Sequence, residues 1–328
     1  MKVLKNINSD LVVSIDIETV RIAENFEDLN EGFQSAWEYK NKQDGEIPEL
    51  SVLSDLWTRN ASLYAEFYKV CAVSLSFLHG GVLHCREFYG ENEQELLKSL
   101  AITLNNIVAK DKNYRLLAHA GKYFDYPGLA KRYIINGLPI PEILDVSDKK
   151  PWENNNLDTN DLWRLGGTGP GSSLQALCNV LQIPVSKGDL VGDEVGQAYY
   201  KGELERIGRY CSYDTVATFN VFRVFKGEDI FTFDDVEYSV GYSDAAGGTE
   251  EAKEVPLLER LYNNKEVSDK DKADLKKLVE KKKLTKKDKE KLRDMLIAIV
   301  SKNDFDDKDT KKDLERKQKE IQELVDSI

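Results

Sequence analysis

At 328 residues, with 41% hydrophobic and 32% charged side chains, the chain is long enough for one large α/β domain or two modest ones, and too apolar to be disordered. No run approaches the ~20 apolar residues of a membrane helix, and the opening MKVLKNINSD shows no apolar core with a small-residue cleavage site, so neither membrane insertion nor secretion is expected. A net charge of −12 excludes a protein that coats duplex DNA through phosphate contacts, though not one that grips a few terminal nucleotides through metal ions.

In chain order, LVVSIDIE (11–18) is a β-branched run whose polar residues fall at every second place near its end, which predicts a strand. Residues 69–89 predict two strands joined at Gly80-Gly81, a hairpin signal. EQELLKSLAITLNNIVAK (93–110) spaces its leucines and isoleucines as one helix face. YRLLAHA (114–120) reads as a short strand, and GLAKRYIINGL as a helix stopped at Gly137. SSLQALCNVLQIP predicts a helix capped by Ser172 and ended by Pro184, and residues 204–225 predict the longest apolar-periodic helix of this part. Hairpin strands followed by alternating strands and helices predict an α/β fold, a mixed central sheet flanked by helices.

Composition changes near residue 250. From Glu250 onward Lys and Arg number 22 against 21 Asp and Glu, whereas the preceding residues hold 24 against 37. We expect an α/β domain over 1–228, a linker or connection over 229–255 and a small all-α, charged domain over 256–328. In the last, capping boxes at Ser268 and Thr285 and helical spacing of Leu275, Leu278, Leu292 and Leu296 predict three short amphipathic helices. Its basic run, Lys281–Lys283 with Lys286-Lys287, either forms a solvated helix face or tracks a nucleic-acid backbone; the same helices could dock a protein partner or self-associate.

Three groups of carboxylates carry the chemistry. Asp16-Ile17-Glu18 places two acids on one face of the first strand and Ile15 and Ile17 on the other. Acids side by side in an apolar strand repel and lose hydration unless something positive neutralises them, for which a pair of hard divalent cations is economical; a strand end running into solvent is the alternative. Tyr210 and Asp214, four apart in an otherwise apolar helix, share a face, either as a site or as a surface contact. Asp125, held before Pro127, follows the short strand, where a turn aspartate is also common.

In this order and spacing, Asp16-Ile-Glu-Thr19, Phe124-Asp-Tyr-Pro127 and Tyr210-x-x-x-Asp214 resemble the three exonuclease motifs of the DEDD superfamily, and the tyrosine marks its DEDDy branch, which includes the proofreading domains of family A and B DNA polymerases. Tyr64-Ala-Glu-Phe, Asn136-Gly-Leu-Pro139, Leu157-Asp-Thr159, Ser173-Leu174 and Gly192 with Val195 extend the resemblance over most of 10–225, toward the standalone predicted 3′–5′ exonucleases related to the family B proofreading domain. A histidine variant is excluded because Arg209 occupies the position it needs.

The resemblance implies an RNase H-like sheet. It also implies that Asp16, Glu18, Asp125 and Asp214 hold two divalent cations, Mg²⁺ or Mn²⁺, about 3.5–4 Å apart, and that Tyr210 orients the attacking water. Single-stranded 3′ ends are the implied substrate, DNA favoured and RNA the alternative, with release of nucleoside 5′-monophosphates. Thr19 and Phe124 are expected to meet the terminal nucleotide. The resemblance breaks at Ala120, where relatives usually carry an asparagine near the substrate strand, and at Gly128, where a large residue is common. These departures are expected to weaken substrate grip and open the pocket, which leaves a catalytically impaired nucleic-acid-binding module as a further alternative.

Other candidates carry less. Asp158 and Asp161 near a strand end fit a supporting or structural role. Gly166–Gly171 lacks the Gly-Lys-Ser/Thr ending of a phosphate loop. His79, His84 and Cys85 flank the hairpin turn with no second ligand pair in view. Cys71, Cys85, Cys178 and Cys211, widely spaced, exclude a Cys-only zinc module and fit reduced thiols in a cytosol, so a cytoplasmic location is expected.

Overall fold

A computed structural model describes residues 1–150, 153–184 and 190–244. The charged helical region expected at 256–328, with its basic run, lies outside the described residues. The described residues belong to the unit Met1–Ala252. Among them, no helix is long and apolar enough to cross a membrane.

The first strand, β1 (Val12–Arg21), is followed by two helices, α1 (Glu31–Lys40) and α2 (Leu50–Asn60). The hairpin β2 (Tyr68–His79) and β3 (Val82–Tyr89) turns at Gly80 and Gly81, whose φ of 61° and 83° are the left-handed values that a tight hairpin turn demands. Then come α3 (Glu93–Lys110), β4 (Arg115–Ala118), α4 (Asp125–Ile135), β5 (Leu157–Asp158), α5 (Thr159–Arg164), α6 (Leu174–Leu181), α7 (Val195–Tyr200), α8 (Leu204–Lys226) and β6 (Val236–Ser243). The sheet has six strands in the order β5-β4-β1-β2-β3-β6. The pairs β1–β2 and β2–β3 are antiparallel, and β1–β4, β4–β5 and β3–β6 are parallel. This is the mixed, helix-flanked sheet of an RNase H-like α/β domain.

The strand period divides the core in two. Val13, Ile15 and Ile17 of β1 join Val73, Leu75 and Phe88 against Leu96, Leu100 and Leu104 of α3 and Leu129 and Tyr133 of α4. On the opposite face Val12, Leu83 and Cys85 pack under Val216, Phe219 and Phe222 of α8 and Leu177 of α6. The residues alternating with Ile15 and Ile17, namely Ser14, Asp16 and Glu18, therefore turn toward the α8 side.

Three expectations shift. The connection predicted at 229–255 contains β6, whose alternating Val236, Tyr238, Val240 and Tyr242 pair in parallel with β3. Helix α4 begins at Asp125 itself, because Pro127 falls in the first turn, where its missing N–H costs nothing. The cap of α6 is Ser173, which accepts the Ala176 amide at 3.2 Å, so its neighbour Ser172 lies outside the helix. Residues 22–67, which carry no clear period in sequence, build a satellite core in which Trp37 stands edge-on to Trp57 at 5.2 Å and to Phe67 at 5.0 Å.

A buried ion pair ties the layers together. Arg132 of α4 forks onto Glu93 of α3 at 2.8 and 2.5 Å and donates to the Ala65 carbonyl at 2.9 Å. Glu93 also accepts the Val70 amide at 2.7 Å and the Asn136 side chain at 2.9 Å. Removing one partner strands the other charge in the core. Arg132→Met is expected to cost about 3–5 kcal/mol in urea unfolding, and Arg132→Met with Glu93→Gln less than the sum of the single changes.

Candidate metal and catalytic centre

Strand β1 brings Asp16 and Glu18 to the carboxyl end of the central parallel pair, where open α/β sheets build ligand sites. Pairing of β1 with β4 stops at Ser14–Leu117, so the β1 edge beyond it is free. There the Ile17 amide donates to Asp125 Oδ1 at 3.2 Å, which brings the first residue of α4 against β1. Helix α8 crosses the other side of the strand. Its Cys211 thiol lies 3.3 Å from the Asp16 carbonyl and 3.4 Å from Asp16 Oδ2, in position to donate to either. One turn further on, Asp214 accepts a hydrogen bond from Tyr210.

The ligand atoms of Asp16, Glu18 and Cys211 lie within 4.8 Å of one another, the one group of three such potential metal ligands found among the described residues. Asp125 and Asp214 stand outside this trio yet close enough to act on it. Burial raises the Asp16 carboxyl well above the usual carboxylate range, and repulsion from Glu18, Asp125 and Asp214 raises it further. Glu18 is raised by burial, then by Asp214 and Asp125. Burial pushes Asp125 up to about 7 against the pull of amides that favour its charge. Burial pushes Asp214 up to about 6, opposed by the Tyr210 hydroxyl. Tyr210 is itself pushed upward by burial and by the neighbouring acids, so it keeps its proton at neutral pH.

No lysine or arginine forms an ion pair with any of these acids among the described residues. Carboxylates that crowd together without a counter-charge, Asp125 buried and Asp16, Glu18 and Asp214 half-buried, suit a hard, multiply charged cation, and an oxygen donor set suits Mg²⁺ or Mn²⁺. Burial first, then Asp16 and Glu18, push the Cys211 thiol upward, so it serves as a hydrogen-bond donor to Asp16. In sequence Cys211 is marked for this role only by its place one residue after Tyr210 on a site-bearing helix.

The expected substrate contacts fare unevenly. The Thr19 hydroxyl, expected to meet the terminal nucleotide, donates to the Ser62 carbonyl at 2.7 Å, just past a bulge in β1, and keeps its oxygen lone pairs for a further contact. Phe124 is half-buried against the core, its ring 5.9 Å from that of Tyr68, while the preceding Tyr123, two residues before Asp125, stands 72% exposed. Ala120 has a φ of 63°, a left-handed conformation that costs an alanine roughly 1–2 kcal/mol and an asparagine less. Gly128 opens no pocket: a Cβ there would meet the hydroxyl of buried Tyr68 at 2.3 Å, so the space that a larger residue would fill belongs to that ring. His84 pairs with Glu237 at 3.3 Å and Cys85 lies buried in the sheet, so the hairpin residues gather no metal-binding cluster among the described residues.

A family model described as a predicted 3′–5′ exonuclease related to the exonuclease domain of PolB matches residues 61–243, more than half of the chain. The matched stretch holds Asp125, Tyr210 and Asp214; Asp16 and Glu18 precede it. A search of curated proteins finds no match.

Two expectations follow. Gly128→Ala should destabilise the chain by about 1–3 kcal/mol through overpacking. Adding Tyr68→Phe, which removes the colliding hydroxyl, should recover part of that loss in the same unfolding assay. The acids also set a pH dependence. Their folded pKa values lie above the unfolded ones, so the metal-free folded chain retains protons that the unfolded chain releases, and stability falls as pH rises from about 4 to about 7. In EDTA the melting temperature should be lower at pH 8 than at pH 5. Asp16→Asn should flatten the difference, and Mn²⁺ should raise the melting temperature more at pH 8 than at pH 5.

Proposed function

We propose that this chain, which belongs to the family of predicted 3′–5′ exonucleases related to the exonuclease domain of PolB, is a metal-dependent hydrolase that removes nucleoside 5′-monophosphates from the 3′ ends of single-stranded DNA. The observation that supports the reading is the Asp16–Glu18 pair, on which Asp125 and Asp214 from two other elements exert further repulsion, with no ion-pairing lysine or arginine among the described residues. In this reading the four carboxylates hold two divalent cations, Mg²⁺ or Mn²⁺. Such ions, when bound, neutralise charge on the scissile phosphate and make a water nucleophilic at neutral pH.

The chain's own groups do the rest. Tyr210 keeps its proton, which it directs in a hydrogen bond toward Asp214, so its oxygen lone pairs remain free to accept from, and orient, the attacking water. Proton removal by Tyr210 itself is disfavoured by the burial, and then the neighbouring acids, that hold its pKa high. The Cys211 thiol, beside both the carbonyl and the carboxylate of Asp16, helps hold that side chain in place on the strand. The exposed Tyr123 ring offers a surface on which a terminal base can stack. Ala120 has no side-chain amide to give the strand, which favours a loose hold on the end. A nucleic-acid-binding module with an impaired site is therefore the second reading, and an RNA end the alternative substrate. We place this machinery in the first unit, Met1–Ala252, with the charged region at 256–328 as a separate domain.

A 5′-labelled single strand incubated with Mn²⁺ tests the reading. Stepwise shortening from the 3′ end is expected, faster on DNA than on a matched RNA. Asp16→Asn and Asp214→Asn should each lower the rate by at least about 10²-fold. Tyr210→Phe should lower it by about 10–100-fold with Mn²⁺ affinity nearly unchanged. Retention of the strand without shortening would favour the binding module, and an undiminished rate in Tyr210→Phe would remove the role given to that hydroxyl.

A further inference from the structure

Asp158 closes β5 and caps α5, and it is 1% exposed. Its carboxylate takes four backbone amides: Oδ1 accepts from Ala120 at 3.0 Å, Asn160 at 2.9 Å and Asp161 at 3.3 Å, and Oδ2 accepts from Lys122 at 3.1 Å. The Asn160 and Asp161 bonds are an ordinary helix cap, which one oxygen can supply. The other two reach back to the turn between β4 and α4, and Oδ2 serves that turn alone.

Neighbours of Asp158 grip the same turn. The Thr159 hydroxyl lies 3.3 Å from the Ala118 carbonyl and 2.8 Å from His119 Nδ1. The Tyr126 hydroxyl donates to the Leu157 carbonyl at 2.8 Å. The turn needs such support, because Ala120 sits in a backbone conformation that alanine disfavours. It delivers Asp125, whose Oδ1 accepts the Ile17 amide on the free edge of β1.

We propose that Asp158 is a positioning residue, whose buried carboxylate clamps the Ala120 and Lys122 amides and thereby fixes where Asp125 stands relative to Asp16 and Glu18. This rests on the reading of Asp125 as a cation ligand; the clamp itself can be read without any metal, through the Ile17 amide.

The test uses the full-length chain with Asp158→Asn and Asp158→Ser. The first keeps an oxygen for the helix cap but turns N–H donors toward Lys122. The second keeps a capping hydroxyl that is too short to span to the turn. Amide hydrogen exchange is followed at Lys122, Ile17, Asn160 and Asp161, and Mn²⁺ affinity is measured by electron paramagnetic resonance well below each variant's melting temperature. Exchange at Lys122 and Ile17 is expected to rise about tenfold or more while Asn160 and Asp161 stay protected. The Mn²⁺ Kd is expected to rise about 10–100-fold, with no further rise when Asp158→Asn is added to Asp125→Asn. A lower melting temperature with wild-type Ile17 exchange and wild-type Mn²⁺ affinity would reduce Asp158 to a helix cap and overturn the proposal. Should the unaltered chain bind no Mn²⁺, the cation reading fails, and Ile17 exchange alone decides the clamp: unchanged protection sinks it.

Discussion

Carboxylates repel one another more strongly as water is withdrawn from them, and this chain withdraws water from several at once. Asp16, Glu18 and Asp125 raise one another's proton affinity or have it raised by burial, and Asp214 joins them from the far side of the strand. Packing driven by hydrophobic burial alone would not gather such a group, because Asp125 is buried and Asp16, Glu18 and Asp214 are half-buried, and a charge drawn out of water without a partner is costly. The arrangement is sustained by the structure around it, and it becomes favourable when positive charge is supplied.

That structure is built in three directions. Beneath the acids, Ile15 and Ile17 anchor β1 in the larger core, so the strand cannot rotate Asp16 and Glu18 away without exposing them. Across from it, α8 is buried along most of its length, and this fixes the height at which Tyr210, Cys211 and Asp214 face the strand. From the side, the turn before α4 is clasped by Leu157–Thr159 and aims Asp125 at the free edge of β1. The Arg132–Glu93 pair then secures the far end of α4. Strain at Ala120 and repulsion among the acids are local costs set against a well-packed sheet, as is common where function is placed.

The parts of this that could be read from sequence share one property, a strong local period. Alternation in LVVSIDIE separates Ile15 and Ile17 from Asp16, and the apolar spacing of 204–225 forecasts α8, so the faces of both elements were legible. What was hidden depends on partners distant in sequence. The parallel pairing of β6 with β3 crosses much of the chain, and its alternating residues lay within a stretch whose small and acidic composition suggested a connection. The α1–α2 region is held by tryptophans that bury one another, which no window of sequence displays. Gly128 suggested an open pocket because its missing side chain was visible and the Tyr68 ring that fills the space was not. The partners of Thr19 and Phe124 were likewise hidden: one donates to the Ser62 carbonyl and the other packs beside Tyr68.

Anomalous diffraction from crystals soaked in Mn²⁺ and a nucleoside monophosphate addresses the convergence of these acids most directly. The account predicts manganese peaks bounded by carboxylate oxygens of Asp16, Glu18, Asp125 and Asp214, with the Cys211 sulfur outside the coordination sphere. Peaks lying elsewhere, or a lattice that takes up no manganese while Asp125 and Asp214 remain turned away from Asp16, would contradict it.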